Sequence, residues 1–577
     1  MGERVVGPAP RRVRRVGGAL AALACGATVL VAPAAGARPA AADVALETVQ
    51  TRIPVGMPDD HGAPVTLDAT VVQPVDGCPC PGVIWNHGFG GSKNGDRDTR
   101  ELLARHGYVV LSYTSRGFGD TPGQVDLLGA KERQDLLDAV DWLTSPDNAV
   151  TDGRVIEDSV GQVGASYGGL HAWALAAANH PAVRTVVPIA TATNLYDALA
   201  PHDVEMLTWA NGFYATGYRP EDDNYSQTFH RVVHEMNTGL NNSDAQVELD
   251  ARGVKGRWND VRVPVFVIQG VNDGLFPANQ AMEAYDELTS RGIETRLYLG
   301  GIGHPPAVSG GPEVEYLYDQ VLQWLDWHLK GKRVPLQRMP PVEVSDASYF
   351  DSVWDGTVRR AQGLSRAAVT TFHLCAETPA GGALSEDPCP GAVPVAMANA
   401  YAGSGYDEEP VSGNALRDEA PDLADRADLP GAATFDSAPM PADTPLDLAG
   451  IPSLDLQVSS VHQLPVGSRG TVAAFQLDPK VYDVAPDGTA MLLTRGAFSE
   501  QVDAAAPGSA PRHAVDFDTF AAFTTIPAGH RLRLVLATED TPYLRPTANP
   551  FVVTLHPGST LTVPTGEWLG PRVDVTP

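Results

Sequence analysis

The stretch "VGQVGASYGGLHAWALAAA", Val160 to Ala178, constrains this chain more than any other. An apolar run passes through Gly164-Ala165-Ser166-Tyr167-Gly168-Gly169 into an alanine-rich run of helical character. A serine between glycines where a strand becomes a helix matches G-x-S-x-G, in which a sharp, strained turn projects the serine Oγ from the sheet edge. Glycines on both flanks remove the Cβ atoms that would collide there. Taken alone, the same residues also describe an ordinary glycine-rich turn with an idle serine. The meaning of Ser166 depends on a base, a carboxylate and an oxyanion site elsewhere.

From residue 43 to 335, strand-like and helix-like runs alternate. "GVIWNHG" and "YVVLSYTSRG" are followed by the helical "KERQDLLDAVDWL". After the serine come "RTVVPIAT", "VPVFVIQG", the helical "NQAMEAYDELTSRG", "ETRLYLGG" and the helical "EVEYLYDQVLQWLDWHLKG". That alternation predicts a doubly wound, mainly parallel sheet covered on both faces, an α/β class. Residues 193–258 interrupt it with a helical insert placed to cap one end of the sheet.

A nucleophilic serine needs a base. In the α/β-hydrolase chain order the acid follows the nucleophile and the histidine comes last. Asp273 follows the buried-type strand in "VFVIQGVNDGLFP", and His304 follows the next strand in "RLYLGGIGHPP". All three then lie at the C-terminal strand ends, where open α/β sheets carry their sites. Asp273 also fits a plain Asn-Asp-Gly turn, and His304 a loop histidine. Their order, each after a strand, makes coincidence a poor explanation. The expected roles are Ser166 as nucleophile, His304 as base and Asp273 as its orienting acid. Oxyanion donors are expected from the backbone N–H groups of Tyr167 and of Phe89 in "NHGFGGSK". His87 in that loop reads as structural. Trp209, Phe213 and Tyr214 are candidates for a substrate pocket or for packing the insert onto the sheet. Glu205, Asp222 and Asp223 read as a solvated acidic face. His230 and His234 stand four apart without a third ligand, so no metal is expected, and the chemistry calls for no organic cofactor.

The chain has 577 residues, a net charge of −29 and a pI near 4.8, which disfavours nucleic acid as a partner. Arg11, Arg12, Arg14 and Arg15 precede the apolar "VGGALAALACGATVLVA", and small-residue sites follow by Ala42. Residues 1–42 therefore read as an export signal, with a twin-arginine signal or a lipoprotein Cys25 as variants. Export implies a secreted or cell-envelope protein, with no membrane insertion of the mature chain. Cys78, Cys80, Cys375 and Cys389 then remain, an even number suited to disulfides. The short spacing of Cys375 and Cys389 favours a local pair, which leaves Cys78 with Cys80 in a tight ring. Residues 336–577 change character to short alternating stretches such as "SLDLQVSS" and "HRLRLVLA", an antiparallel β domain. The oligomeric state is not set by these features.

"GASYGG", the Ser166–Asp273–His304 order and "WLDWHLKGK" resemble the Xaa-Pro dipeptidyl-peptidase and cocaine esterase family. "PLDLAGIPSLDLQVSS", "DVAPDGTAMLLTRGAF" and "IPAGHRLRLVLATEDTPYLRPT" resemble its C-terminal domain. The resemblance implies an α/β-hydrolase core, a helical cap, a jelly roll beside the site, and serine hydrolysis of a small-molecule ester or a peptide. Members with a tyrosine oxyanion donor carry it as "PY" in the first loop. "NHGFGG" has no tyrosine, which turns the expectation toward a broader esterase or acylase. The contrasting expectation is a non-catalytic protein that binds a glycan or surface partner through the jelly roll.

Overall fold

The computed structural model describes residues 44–238, 243–304, 311–345, 354–365, 368–399, 431–462, 473–502, 510–541, 543–547 and 551–575. The expected export signal, residues 1–42, lies outside them, as does almost all of the acidic stretch 399–431.

The first sheet is built from β1 (Leu46–Pro54), β2 (Thr66–Pro74), β3 (Cys80–Asn86), β4 (Val109–Tyr113), β5 (Val155–Ala165), β6 (Val183–Ile189), β7 (Val265–Gly270), β8 (Thr295–Gly300), β9 (Val342–Ser345) and β10 (Thr357–Ala361). Their spatial order is β1-β2-β4-β3-β5-β6-β7-β8-β9-β10, closed at the far edge by Val573–Asp574. From β4 to β9 every neighbouring pair is parallel. Antiparallel β1 and β2 finish one edge and antiparallel β10 the other. Strands β9 and β10 lie past the expected domain boundary at residue 335 yet join this sheet, and the chain returns to it for its last strand.

Strands β3, β4, β6, β7 and β8 are almost wholly buried, as parallel strands covered on both faces must be. Side chains alternate between two cores along each strand. Ile84, Val109 and Leu111 pack with α2 (Ala130–Thr144), α3 (Tyr167–Ala178) and α8 (Asn279–Ser290). Val83, Trp85 and Val110 pack on the other face with α1 (Arg97–Arg105) and α9 (Pro312–Lys330). Between β6 and β7 the insert supplies α4 (Leu195–Leu199), α5 (Leu207–Gly217), α6 (Gln227–Thr238) and α7 (Ser243–Asp250). It packs over the C-terminal strand ends on a core of its own with Phe89, Tyr167 and Leu275.

The second domain is all β. Its main strands include Val369–Thr378, Ser453–His462, Ala473–Val484, Arg531–Ala537 and Phe551–Pro564. They wrap a core of Phe435, Leu456, Phe475 and Leu534, among others. Its one parallel pair among the described strands joins Gly381–Ser385 to Ala432–Ser437. The sulfurs of Cys375 and Cys389 lie at disulfide distance, as do those of Cys78 and Cys80. The Asn279 side chain clamps this domain to α8. Its Nδ2 donates to the Thr519 carbonyl at 2.9 Å and its Oδ1 accepts from Ala521 N–H at 2.7 Å. Among the described residues no helix is long and apolar enough to cross a membrane.

A buried bidentate ion pair anchors α2 behind the site. Arg116 donates through Nε and Nη2 to Asp135, both at 2.6 Å, with side chains 0% and 3% exposed. Removing one partner leaves an uncompensated charge, at a cost of about 3–5 kcal/mol. Asp135→Ala is therefore expected to lower the first unfolding transition of the protein markedly. A melting curve that matches wild type contradicts the role given to this pair.

Candidate active site

Ser166 stands at the junction of β5 and α3 with φ 57° and ψ −118°, outside the regions favoured by L-residues. Tight contacts hold it there. A Cβ on Gly168 would sit 2.3 Å from the Asn86 carbonyl oxygen of β3, and one on Gly164 would sit 2.5 Å from the Gly168 oxygen. Only glycine allows the helix to start this close to the neighbouring strand. Ser166 N–H donates to the Ile189 carbonyl at 2.9 Å, and Thr191 Oγ1 donates to the Ser166 carbonyl at 2.9 Å.

The structure brings Ser166, His304 and Asp273 together although they are far apart in sequence. His304 Nε2 lies 2.8 Å from Ser166 Oγ, and Nδ1 lies 3.0 Å from each Asp273 oxygen. An ionised Asp273 accepts from Nδ1–H, so Nε2 is the acceptor for the serine hydroxyl. The Asp273 side chain is fully buried. Leu275 and Phe276 N–H donate to its Oδ1 at 2.8 and 3.0 Å, and Gln269 Nε2 approaches Oδ2 at 3.3 Å. The Asn-Asp-Gly turn thus serves as a cradle for the carboxylate. The His304 ring is met edge-on by Trp209 and Phe276, with centroids 5.8 and 5.2 Å away.

The two residues expected to supply oxyanion donors lie in segments that adjoin Ser166 in sequence or pack on Tyr167. Tyr167 opens α3, where backbone N–H groups have no intrahelical partner, and Phe89 sits in the loop after β3. Among the described residues neither N–H enters a backbone hydrogen bond with another segment.

Two family models match the chain, one after the other. The X-Pro dipeptidyl-peptidase (S15 family) model matches residues 61–305, and the X-Pro dipeptidyl-peptidase C-terminal non-catalytic domain matches 336–569. This chain belongs to the X-Pro dipeptidyl-peptidase family. Its first domain has the α/β-hydrolase fold. A putative Xaa-Pro dipeptidyl-peptidase of Bacillus cereus is 25% identical over 264 residues, which span 41% of this chain and 42% of that one. The match therefore spans less than half the length of that relative. An α-amino acid ester hydrolase has a similar structure, with a TM-score of 0.67 at 17% identity, covering 92% of this chain and 98% of that one. A CocE/NonD family hydrolase of Staphylococcus aureus gives 0.63 at 13% identity, covering 90% and 94%.

Around the array, the structure assigns several residues differently from the sequence. Trp209 fastens the insert to the acid loop, its Nε1 donating to the Gly274 carbonyl at 2.7 Å beside Asp273. Phe213 is half-buried and bridges Trp209 to Phe89, with ring centroids 6.0 and 5.2 Å apart. Tyr214 lies farther out, its hydroxyl 3.1 Å from His230 Nδ1. The other nitrogen of His230 meets Asp223 at 3.0 Å. Among the described residues no cluster of metal-ligating side chains occurs. Glu205 is buried rather than solvated, with Arg545 Nη1 of the second domain 3.4 Å away.

Glu132 was not singled out by motif. It is buried beneath the elbow, where the Tyr167 hydroxyl donates to it at 2.5 Å and Gly129 N–H at 3.1 Å. Burial pushes its carboxyl up to about 7. Its spacing from Leu136, Ala139 and Leu143 puts it on the apolar face of α2, a sequence signal for a buried carboxylate. His87 locks the loop after β3. Ser115 N–H donates to its Nε2 at 3.0 Å, so Nδ1 carries the proton and donates to the Gly88 carbonyl at 2.7 Å. Burial lowers His87 to about 4.

The sign of the pH effect follows. In the unfolded chain His87 takes up a proton near its ordinary 6.5, but in the folded chain only near 4. Its contribution is complete above 6.5 and is lost as pH falls toward 4, at about 1.4 kcal/mol per pH unit. His87→Gln cannot titrate. Its stability, followed by denaturant unfolding, is expected to decline less steeply across that window than wild type; identical slopes contradict this account.

Proposed function

We propose that the protein is an exported serine hydrolase that cleaves an ester or amide acyl bond through an acyl-enzyme on Ser166. The observation that carries this reading is the unbroken hydrogen-bonded line from Ser166 Oγ through His304 to the Asp273 carboxylate. His304 Nε2 takes the serine proton as Oγ attacks the carbonyl carbon. Asp273 holds the tautomer and stabilises the imidazolium. The tetrahedral oxyanion accepts from the N–H groups of Tyr167 and Phe89, each worth about 3 kcal/mol of barrier. Collapse expels the leaving group with the proton from His304, and water attacks the acyl-enzyme by the same route in reverse.

The relatives named above are a peptidase, an ester hydrolase and a hydrolase of unstated substrate, and acyl transfer to serine serves all of them. The loop "NHGFGG" supplies a backbone donor where other members use a tyrosine hydroxyl. With the aromatic wall of Trp209, Phe213 and Phe89, this favours an esterase or acylase that takes an apolar acyl group. Paired cysteines in both domains accord with an oxidising compartment, and therefore with export.

The test is turnover of p-nitrophenyl esters and Xaa-Pro p-nitroanilides by the mature protein. Asp273→Asn is expected to lower kcat about 10⁴-fold with little change in fold. Ser166→Ala is expected to abolish turnover. Hydrolysis that survives Ser166→Ala sinks the reading.

A further inference from the structure

The carbonyl of Gly274, one residue past Asp273, accepts hydrogen bonds from two distant parts of the molecule. Trp209 Nε1 of α5 donates at 2.7 Å, and the hydroxyl of Tyr543 donates at 3.0 Å. Tyr543 belongs to the second domain, in the turn after the strand Arg531–Ala537. A trans peptide is planar, so the Gly274 C=O and the Leu275 N–H lie in one rigid plane and point opposite ways. That N–H is the donor 2.8 Å from Asp273 Oδ1. Fixing the carbonyl therefore fixes the aim of the amide. A hydrogen bond on the carbonyl also polarises the amide and strengthens its donation. The N–H of Gly274 itself meets the His304 carbonyl at 3.3 Å, so this short segment ties the acid loop to the histidine loop.

Tyr543 is built in. It is 3% exposed, and the Arg495 guanidinium lies over its ring with Cζ 4.3 Å from the centroid. Arg495 pairs with buried Asp540 at 2.8 Å, and Lys480 meets the other Asp540 oxygen at 2.6 Å. Leu544 N–H donates to the Asp540 carbonyl at 2.8 Å and closes the turn that carries the tyrosine. Arg545 N–H then bonds the Glu205 carbonyl of the insert at 2.8 Å. Buried charges of this kind are expensive to maintain, and here they hold one phenol against one carbonyl.

We propose that Tyr543 is a positioning residue for hydrolysis. Through the Gly274–Leu275 peptide plane it holds the Asp273 carboxylate toward His304, so the second domain takes part in aligning the site. The proposal rests on the roles given above to Ser166, His304 and Asp273.

Steady-state kinetics on p-nitrophenyl acetate, with melting curves on the same samples, test it. Tyr543→Phe keeps the ring under Arg495 and removes only the hydroxyl. Its kcat is expected to fall about tenfold at an unchanged KM. Ser459→Ala removes a 2.8 Å contact with His556 elsewhere in the second domain and is expected to leave both constants at wild type. If Tyr543→Phe does not fold, Arg495→Lys carries the test. It keeps a charge beside Asp540 but withdraws the plane from the ring, and its kcat is expected to fall in the same direction. A wild-type kcat in the folded variant overturns the proposal. So does a raised KM at unchanged kcat, which would put the hydroxyl in substrate binding. Wild-type protein without turnover, or turnover that survives Ser166→Ala, overturns the site assignment instead, so the two failures are distinct.

Discussion

A serine at φ 57° on the end of a doubly buried strand costs about 1–3 kcal/mol to hold, and much of this architecture keeps it there. The parallel pairing of β5 with β3 and β6 brings three strand ends level. Gly168 lets α3 start against the Asn86 carbonyl, where any Cβ would collide. The Tyr167 hydroxyl donates to buried Glu132, and Thr191 donates to the Ser166 carbonyl. Relaxing the turn would strain or break both of these buried hydrogen bonds, which is how a strained conformation persists.

The fold was legible because its signals are local. Continuous apolar strands, amphipathic helices and glycine-flanked turns state the parallel sheet directly, and they put Ser166, Asp273 and His304 at one edge of it. The two sheets were harder to apportion. β9, β10 and Val573–Asp574 are short, and only pairing partners decide which sheet they join.

Around the site, legibility fell with sequence distance. Phe89 and Tyr167 could be proposed as donors because they adjoin recognisable turns. Trp209 was visible as an aromatic in an insert, but its hydrogen bond to the Gly274 carbonyl was not. Glu205 looked like one more acid in an acidic chain, and it is buried against Arg545, 340 residues away. Tyr543 sits in a turn with no periodic pattern, so only the packing of one domain on the other brings it to Gly274. Hydrophobic periodicity reports which face is buried and says nothing about which distant polar group will meet it.

The central claim is that Ser166 is an activated nucleophile. Labelling the purified protein with a fluorophosphonate, with mass mapping of the adduct, tests it most directly. The account predicts a stoichiometric adduct on Ser166 that disappears in Ser166→Ala. A folded wild-type protein that takes no label, or takes it at another residue, would contradict it.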